Sequence, residues 1–389
     1  MDLRTLDMNL LDDELVEDYE DLVWTERYSD YGDFELTIRS NQGNKRLLSV
    51  GTLLSHPQSL RVMTVESVED TFDEEGNALL KIKGRSLEAW LEERVTRFAQ
   101  EGGTSGLSSW TIDDVPAEVA RTMFNVRCRN NVDIPSDNFS FLGTGSPYSP
   151  GSIPEPTTVI SVLVELETVY SFIKKICNTY NLGFRLVRDP STFMLYFDVY
   201  TGHDRTSQQS TNTVIIFSQS LDNLANPTEL QALGTFKNVA YVFAPNGTEI
   251  VYSSSFVTSS TAGFERRVML VDASDVDLPA GQALSDILKA RGLEELSKNR
   301  AIMAFDGEAI PNNGYVYDVD YALGDLVEVR SITGSATNMR VVEQIFVSDA
   351  QGERSYPTFA IDELITPGSW LAWDAAQYWA DAQGYWVDA

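Results

Sequence analysis

The sequence predicts an α+β protein that is mostly β-structure, and three observations point to that fold class. Runs in which apolar and polar residues alternate recur along most of the chain, as half-buried strands require. Only a few segments show the 3.6-residue spacing of an amphipathic helix. The chain has 389 residues, 43% of them apolar, which is enough for several domains with hydrophobic cores.

Residues 1–100 are predicted to form a first antiparallel β-barrel domain with a packed helix. Strands are expected at LVWTERY, FELTI, LLSVGTLL, LRVMTVESVEDTF and ALLKIKG, with turns at YGD and EEGN. The segment SLEAWLEERVTRF follows, with Ser86 placed to cap a helix that lies across the sheet. The apolar face of that helix would consist of Leu87, Trp90, Leu91, Val95 and Phe98.

The middle of the chain is predicted to hold a loop region and an inserted α+β domain. Residues 101–157 are rich in Gly, Ser and Pro and are interpreted as loop. Residues 158–212 combine the β-branched run TTVISVLVEL, a helix and the hairpin GFRLVRDPSTFMLYFDVY. Gly183 is expected to take a positive φ at the end of the helix. The helix should bury Val169, Phe172, Ile173, Ile176, Cys177 and Tyr180.

Residues 213–362 are predicted to form a second β-barrel domain with a helix. The region begins with TVIIFSQ and includes a hairpin around Asn246 and Gly247. Strands resume at YVYDVDYALGDLVEVRSI, and residues 363–389 form an aromatic tail that is chemically unlike the rest. A helix near 282–298 should bury Leu284, Ile287, Leu288 and Leu296.

Two parts of the chain share an order of features that favours a duplicated barrel unit. LLSVGTLLSH followed by LRVMTVESVEDTFDEEGN is similar to YALGDLVEVR followed by MRVVEQIFVSDAQGE. In each part a glycine, Gly51 or Gly324, precedes a short apolar strand, and a second strand ends in an acidic turn with a further glycine. The comparison aligns Arg61-Val62 with Arg340-Val341, and Gly76 with Gly352. Such a repeat predicts two similar barrels with other structure between them.

Charge and composition exclude several classes of protein. The formal net charge of −29 and a pI of about 4.3 disfavour nucleic acid as a tightly held ligand, because phosphates would be repelled. Cys128 and Cys177 are too few for a disulfide framework and favour folding in a reducing cytosol. The N-terminal residues do not resemble a secretion signal, and no stretch approaches the roughly 20 apolar residues of a membrane span.

The stretch WTERYSDYGDFELTI raises the question of a sugar-cleaving site. Glu26 with Asp33 or Glu35 could serve as the paired carboxylates of a glycosidase, which lie about 5 to 10 Å apart. However, apolar and polar residues alternate here as in a half-buried strand. The preferred interpretation is a hairpin, in which Glu26 and Arg27 fix the strand register or contact a neighbouring chain.

Other motifs lack the spacing of a catalytic or metal site. His56 precedes a proline and His203 lies in TGHDRT, so both are expected in loops. GTGSPYSPG lacks the lysine of a phosphate loop, and the carboxylates at 272–277 and 318–325 lack the spacing of a calcium loop. We therefore expect no cofactor, no metal and no enzymatic activity.

The aromatic tail is the candidate docking segment. It could stack on sugars, dock into a neighbouring chain or fold back on its own domain. Docking onto a partner is preferred, because so many large apolar groups would be unfavourable in water if left exposed. The docking residues would be Trp370, Trp373, Tyr378, Trp379, Tyr385 and Trp386.

Several segments, taken in order, resemble the siphovirus minor tail protein family of ReqiPepy type, whose members resemble the baseplate hub at the tail tip. They are WTERYSDYGDFELTI, GRSLEAWLEERV, FIKKICNTYNLGFRL, FDVYTGHDRT, FKNVAYVFAPNG, and DYALGDLVEV followed by MRVVEQI. The resemblance implies two similar tail-tube-like barrels per chain and a homotrimeric ring in the virion, assembled in the host cytoplasm. The implied partners are the distal tail protein hexamer, the tape measure protein, and a tail fibre or spike.

The resemblance leads to the hypothesis of a symmetry adaptor. Three chains with two similar barrels each would present six similar faces to a six-fold tail tube, and single-copy parts would carry three-fold symmetry to the fibre or spike. The ring would close the channel until phage DNA passes through. An acidic run would line the channel or form an ordinary solvated surface. Its members are Asp12, Asp13, Glu14, Glu17, Asp18, Glu20 and Asp21.

Two other functions stay open: a cell-wall-degrading tail enzyme and a glycan-binding receptor-recognition protein. About 25 residues follow the last predicted strand, so an appended lytic domain is not expected. An enzyme would turn over cell wall, a lectin would bind isolated glycans, and a hub would occur in the virion as a trimer at low copy number.

Overall fold

A computed structural model describes residues 2–97, 110–148, 150–232, 234–253, 257–300, 302–310, 314–330 and 336–361. The chain is mostly β-structure with some helices, as the sequence predicts. The α-helices are α1 (Gln42–Leu47), α2 (Pro116–Phe124), α3 (Val169–Thr179) and α4 (Gln282–Lys298). The strands before residue 220 are β1 (Arg4–Leu6), β2 (Asp12–Leu15), β3 (Tyr19–Arg27), β4 (Asp33–Arg39), β5 (Leu53–Ser55), β6 (Val62–Phe72), β7 (Ala78–Ser86), β8 (Trp110–Asp114), β9 (Ile160–Val164), β10 (Gly183–Arg188), β11 (Leu195–Tyr200) and β12 (Ile216–Ser218). Those after it are β13 (Leu224–Ala232), β14 (Val239–Ala244), β15 (Gly247–Tyr252), β16 (Val268–Asp272), β17 (Ile302–Ala309), β18 (Leu326–Arg330), β19 (Ala336–Asp349) and β20 (Gly352–Ile361).

The chain divides into two compact units, and the first unit contains most of the residues. Its main sheet has the strand order β13-β17-β20-β19-β3-β4-β7-β6-β5-β1-β2, with β18 paired to β19 and β12 paired to β18. A barrel closes only when its last strand bonds to its first. Among the described residues this order has free ends, so the closed barrels that the sequence predicts are not observed.

The main sheet packs two hydrophobic cores. The first core includes Trp24, Phe34 and Phe346, and the second includes Tyr28 and Phe217. Trp24 and Tyr28 lie four residues apart along one extended segment, so both side chains point to the same face. That segment therefore links the two cores on one side of the sheet.

The internal repeat is visible in the backbone at three points. Gly51 and Gly324 both have φ of 91°, a region that side chains rarely adopt. The amide of Gly51 donates to the Val65 carbonyl at 2.8 Å, and that of Gly324 donates to the Val341 carbonyl at 2.8 Å. A register shift follows immediately after Val65 in the β6–β7 pair and after Val341 in the β19–β20 pair. The backbone of the two parts is therefore alike at these three points.

Extending this match gives two half-sheets with the same strand order. The first half-sheet is β3-β4-β7-β6-β5, and the second is β13-β17-β20-β19-β18. The predicted alignment of Arg61 with Arg340 is wrong, because Leu53 pairs with Thr64 where Leu326 pairs with Arg340. The error arises because the connection before the second strand differs in length between the copies.

The helix predicted after β7 takes a different form. Residues Leu87–Glu93 form a 3₁₀-helix, and Ser86 makes no side-chain capping bond. Instead, the Ser86 hydroxyl accepts a hydrogen bond from the Gly32 amide at 2.8 Å. Val95 lies beyond the helix and is exposed. Leu87 and Leu91 of the predicted apolar face are buried, and Glu88 and Ala89 are buried with them, so the packed face is broader than predicted.

Three further predictions require correction. The region 101–157 contains β8 and α2, because Pro116 starts a helix whose buried face includes Met123 and Phe124. The first part of LLSVGTLL ends α1, and only its last residues enter β5. The positive φ after α3 belongs to Asn181, whereas Gly183 is required because a Cβ there would lie 2.2 Å from the Tyr28 ring.

The second unit, which contains residues 230–303, has a three-stranded sheet in the order β15-β14-β16. The hairpin around Asn246 and Gly247 and the helix at 282–298 are confirmed. Helix α4 packs on one face of this sheet. A Cβ at Gly292 would lie 2.6 Å from Val251 Cγ2 and 3.0 Å from Val242 Cγ2, so glycine permits the close approach.

Candidate assembly interface

Several strand edges of the main sheet have no strand paired to them among the described residues; they include the outer edge of the terminal strand β2 and the two edges described next. Strand β5 covers β6 only as far as Thr64, so residues 67–72 of β6 bond to β7 alone. Strand β13 ends the sheet order and has β17 as its neighbour. Backbone amides and carbonyls on such edges can bond to another strand.

Within the chain, the two half-sheets are joined by pairing between β19 of the second half-sheet and β3 of the first. Residues 343–348 of β19 pair with residues 22–27 of β3, with Glu343 opposite Arg27 and Phe346 opposite Trp24. The repeat matches β19 with β6 and β3 with β13. The two unpaired edges are therefore the counterparts of the two paired ones.

Arg27 forms ion pairs across the strands where β3 and β19 join the two half-sheets. Its guanidinium bonds to Asp33 on β4 at 2.6 Å and to Glu343 on β19 at 2.7 Å. The pKa of Arg27 is raised, because these carboxylates outweigh the opposing effect of partial burial. Arg27 thus bridges β3, β4 and β19, and the predicted role of Glu26 and Arg27 in fixing the register or contacting a neighbouring chain stays a prediction.

The free edge of β6 is polar and ends in an exposed aromatic residue. Glu66, Ser67, Glu69 and Asp70 are exposed, and Phe72 is 71% exposed. Acidic side chains on an edge discourage indiscriminate pairing, because like-charged edges repel. The edge is therefore suited to a selected partner rather than to aggregation.

The paired carboxylates considered for sugar cleavage do not face one another. Glu26 is buried on the core side of β3, where the Tyr317 hydroxyl donates to its Oε2 at 3.1 Å. Asp33 lies opposite Thr25 and Glu35 lies opposite Val23, on the other face of the sheet. This arrangement does not provide the two-carboxylate cleft of a glycosidase.

Glu26 belongs to a buried polar cluster that sequence reasoning missed. Burial raises the pKa of Glu26, although Arg61 and nearby hydroxyl groups act in the opposite direction. Arg61 forms an ion pair with Glu88 at 3.3 Å, and their side chains are 3% and 0% exposed. The charged residues in RVMTV and SLEAW gave no signal of this pairing, because charged side chains are usually exposed.

The acidic run at residues 12–21 is largely exposed and partly neutralised. Exposed members include Asp12, Glu14 and Glu20, whose carboxylates lie 3.0, 3.4 and 3.7 Å from Arg188, Arg46 and Arg39. Asp13, Glu17 and Asp18 are also exposed. Partial burial raises the pKa of Asp21, with further contributions from Asp349 and Glu35. The role of the run in lining a channel stays a prediction.

The face of the main sheet opposite the cores carries ion pairs between neighbouring strands. We call it the ion-pair face. Lys83 lies 2.8 Å from Glu35, and Arg354 pairs with Asp349. Asp21 points to this face, because it lies opposite Thr37 on β4. Positive and negative charges are therefore mixed on this face, which is not uniformly acidic.

The histidines and carboxylate clusters do not combine into a metal centre in the described part of the chain. His56 packs between Trp24 and Phe346, with ring centroids 5.4 and 5.2 Å away. His203 Nδ1 accepts from the Ser152 amide at 3.1 Å. Within the described ranges, no group of three or more His, Cys, Asp or Glu side chains is placed to hold a metal ion.

The aromatic tail lies outside the described residues, so the docking role of its six aromatic residues stays a prediction.

No helix in the described part of the chain is long and apolar enough to cross a membrane.

The fold is that of phage tail proteins. It is similar to the tail protein from Neisseria meningitidis MC58, with a TM-score of 0.56 and 11% identity over 94% of this chain and 98% of that chain. It is also similar to the 43 kDa tail protein of prophage MuSo2 from Shewanella oneidensis, with a TM-score of 0.53 and 13% identity over 93% and 97% of the two chains. The prophage tail protein gp18 from Listeria monocytogenes EGD-e gives a TM-score of 0.52 and 13% identity over 97% and 99%.

Sequence comparison identifies the family. The model of the family described as Siphovirus ReqiPepy6 Gp37-like protein matches residues 1–359, and the chain belongs to this family. Among curated proteins, no sequence matches the chain. The resemblance found in the sequence analysis is therefore confirmed.

Proposed function

We propose that this protein is a structural hub of the siphovirus tail tip, in which three copies close into a ring. The observation that carries the proposal is the match between the unpaired edges of β6 and β13 and the paired edges of β19 and β3. Pairing β6 of one copy with β13 of the next would repeat, between chains, the contact that already joins the half-sheets within a chain.

Such a contact is heterologous, because it uses two different surfaces of the same protein. Repeated contacts of this kind close into a ring if the rotation per copy fits, and otherwise extend into a filament. Three copies would supply six similar half-sheets, and the closed tube would form between chains rather than within one. This accounts for a sheet that is open in the single chain.

In this ring the ion-pair face would line the channel, because the opposite face packs the two cores. Lys83 and Arg27 are paired with carboxylates there, which reduces the positive charge that could bind phosphate. The acidic run would add negative charge at the channel, as the sequence analysis proposes. DNA would meet a wall that holds it weakly.

The proposed role is a symmetry adaptor that closes the channel until DNA ejection. Six half-sheets would meet the distal tail protein hexamer around the end of the tape measure protein. The second unit occurs once per chain and would present three-fold symmetry to a fibre or spike. The protein would assemble in the host cytoplasm and act at the tail tip of the virion.

The role is structural rather than enzymatic. Support comes from the family and from the separation of Glu26 from Asp33 and Glu35 by the sheet itself. A cell-wall-degrading activity would need a carboxylate pair or another catalytic group in a cleft.

The experiment that tests the proposal is electron microscopy of tail tips in the native particle, with the copies counted. Three copies in a ring of six similar half-sheets, with β6 next to β13 of the neighbour, is the expected result. A monomer at the tail tip, a hexamer, or a location outside the tail would overturn it.

A further inference from the structure

The sheet of the second unit has one face that α4 leaves uncovered. On the covered face, Val242 and Val251 contact α4, and the Ser285 hydroxyl donates to Glu249 at 2.9 Å. Side chains alternate along strands, so the intervening residues point the other way. We call this second surface the aromatic face; it consists of Tyr241, Phe243, Ile250, Tyr252 and Leu270.

The aromatic face is a continuous apolar surface across three strands. Tyr241 on β14 lies directly between Ile250 on β15 and Leu270 on β16. Phe243, Ile250 and Leu270 are 47%, 50% and 70% exposed. A large contiguous apolar patch is unusual on a protein surface and marks a contact site.

This face carries an arginine beside its two tyrosines and one aspartate, Asp272, which lies opposite Phe243. The Arg266 guanidinium lies 5.9 Å from the ring centroids of both Tyr241 and Tyr252 and donates to the Tyr241 hydroxyl at 3.2 Å. Arg267 is adjacent and lies over the Phe236 ring. A partner with aromatic and acidic side chains would complement this surface.

The tail at residues 363–389 has that composition. It contains no lysine or arginine, and its charged residues are Glu363, Asp374, Asp381 and Asp388. Six aromatic residues are interspersed with them, four of which are tryptophans. Their indole rings can pack on tyrosine and aliphatic side chains, and the carboxylates can pair with arginine.

The tail is long enough to cover the aromatic face. Residues 363–389 are 27 residues, which span about 90 Å when fully extended. Helix α4, with 17 residues, is about 26 Å long. The tail is therefore longer than the longest helix of the second unit.

We infer that the aromatic tail of a chain packs on the aromatic face of its own second unit. Docking onto a partner was the role preferred from sequence, and folding back on the tail's own domain was an alternative; this face supports the alternative. The inference does not depend on the proposed ring, since it concerns a contact within a single copy.

Disulfide trapping in the full-length chain tests the contact. Trp373→Cys is combined with Leu270→Cys, and the control combines Trp373→Cys with Val132→Cys, whose native side chain is 84% exposed in the first unit. The native Cys128 and Cys177 are buried and unpaired, so they should not compete. The Leu270 pair is expected to oxidise about ten-fold faster and to give a monomeric product. Equal rates, or a product that is a disulfide-linked dimer, would overturn the inference.

Chymotrypsin digestion gives a second readout that needs no engineered bond. Trypsin cannot cut the tail, whereas chymotrypsin cleaves after its tryptophans and tyrosines. Leu270→Glu with Ile250→Glu should increase the rate of tail cleavage about ten-fold, and Val132→Glu should leave it unchanged. A tail that is cleaved equally fast in all three proteins, or whose protection depends on protein concentration, would contradict packing within one chain.

Discussion

Arg61 and Glu88 lie in the interior of the first unit, where isolated charges are costly. Glu88 Oε1 also accepts from the Leu186 amide at 2.9 Å, and Arg61 donates to the Arg27 carbonyl at 2.5 Å. Removing one member of such a pair leaves the other charge buried without compensation. The Arg61–Glu88 pair therefore connects the residue before β6 with β10 and β3.

We expect Arg61→Met to lower the free energy of unfolding by about 3–5 kcal/mol, because Glu88 would lose its counter-charge. Urea denaturation followed by circular dichroism would measure the change. Arg46→Met is the matched control: Arg46 is 78% exposed beside Glu14, and an exposed pair contributes about 1 kcal/mol or less. Equal losses in the two variants would contradict this interpretation.

His56 makes the stability of the first core dependent on pH. Burial lowers its pKa to about 4, from 6.5 in an exposed histidine. Below pH 6.5 the unfolded chain takes up the proton more readily, so the stabilisation present above pH 6.5 is lost as the pH falls through about 4. The loss amounts to at most about 3 kcal/mol.

Replacing His56 with glutamine should flatten this dependence. The amide oxygen can still accept from the Gln58 amide, as Nδ1 does at 3.3 Å, but it does not titrate. Unfolding free energies measured from pH 7.5 to pH 4 should fall less steeply in the variant than in the wild type. Parallel curves would show that His56 is not the titrating group.

At the scale of elements, α4 shows how a close approach can override helix propensity. Alanine favours a helix over glycine by about 1 kcal/mol. At Gly292, however, the added Cβ would lie within 3 Å of Val251 and Val242 on the sheet. Overpacking of this kind costs about 1–3 kcal/mol.

We therefore expect Gly292→Ala to lower the melting temperature of the second unit rather than raise it. Differential scanning calorimetry would measure the shift. The control is Lys289→Ala on the same helix, where the side chain is 47% exposed and the substitution should be nearly neutral. Stabilisation by Gly292→Ala would mean that α4 does not pack this closely.

The free edge of β6 can be tested by a proline scan over residues 67–70. Successive amides along a strand point to opposite edges, so proline removes an outward-facing donor at some positions and a bond to β7 at the others. Outward positions should abolish self-association while the folded chain persists. Inward positions should destabilise the chain itself.

Self-association would be followed by analytical ultracentrifugation, and folding by circular dichroism. A scan in which all four variants fold and still associate would exclude this edge from the ring contact. A variant in the turn after β6, such as Glu75→Pro, tests whether proline in this region has a general effect on association.

At the scale of the whole molecule, charge opposes assembly. Each copy has a formal net charge of −29, and the free edge of β6 contributes Glu66, Glu69 and Asp70 to it. Like-charged copies repel over about 30 Å at 0.01 M salt but over only about 8 Å at 0.15 M. Added salt should therefore favour association.

We expect the association constant of the purified chain to rise at least ten-fold between 0.01 and 0.15 M NaCl, as measured by light scattering. A neutral osmolyte at matched osmolality should not reproduce the rise. Dissociation by salt would show instead that ion pairs between chains dominate the contact.

Local sequence patterns were enough to predict the mostly β fold class, the family and the similarity of the two parts around Gly51 and Gly324. Alternation of Phe34, Leu36 and Ile38 specifies β4, and the spacing of Leu284, Ile287 and Leu288 specifies α4, because both depend on local periodicity. Gly51 and Gly324 mark equivalent turns, since a φ of 91° strongly favours glycine. These features require no knowledge of distant contacts.

The pairing of strand edges and the burial of charges are known only from the folded structure. Arg27 contacts Glu343 across 316 residues of sequence, and the same sheet order leaves one edge of β13 and part of one edge of β6 without a paired strand. Folding brings Arg61 and Glu88 to 3.3 Å from one another, and this ion pair compensates the burial of both charges. Hydrogen bonds between strands join residues that are far apart in the sequence. The pattern of apolar side chains predicts which face of a strand is buried, but it does not predict which strand pairs with it.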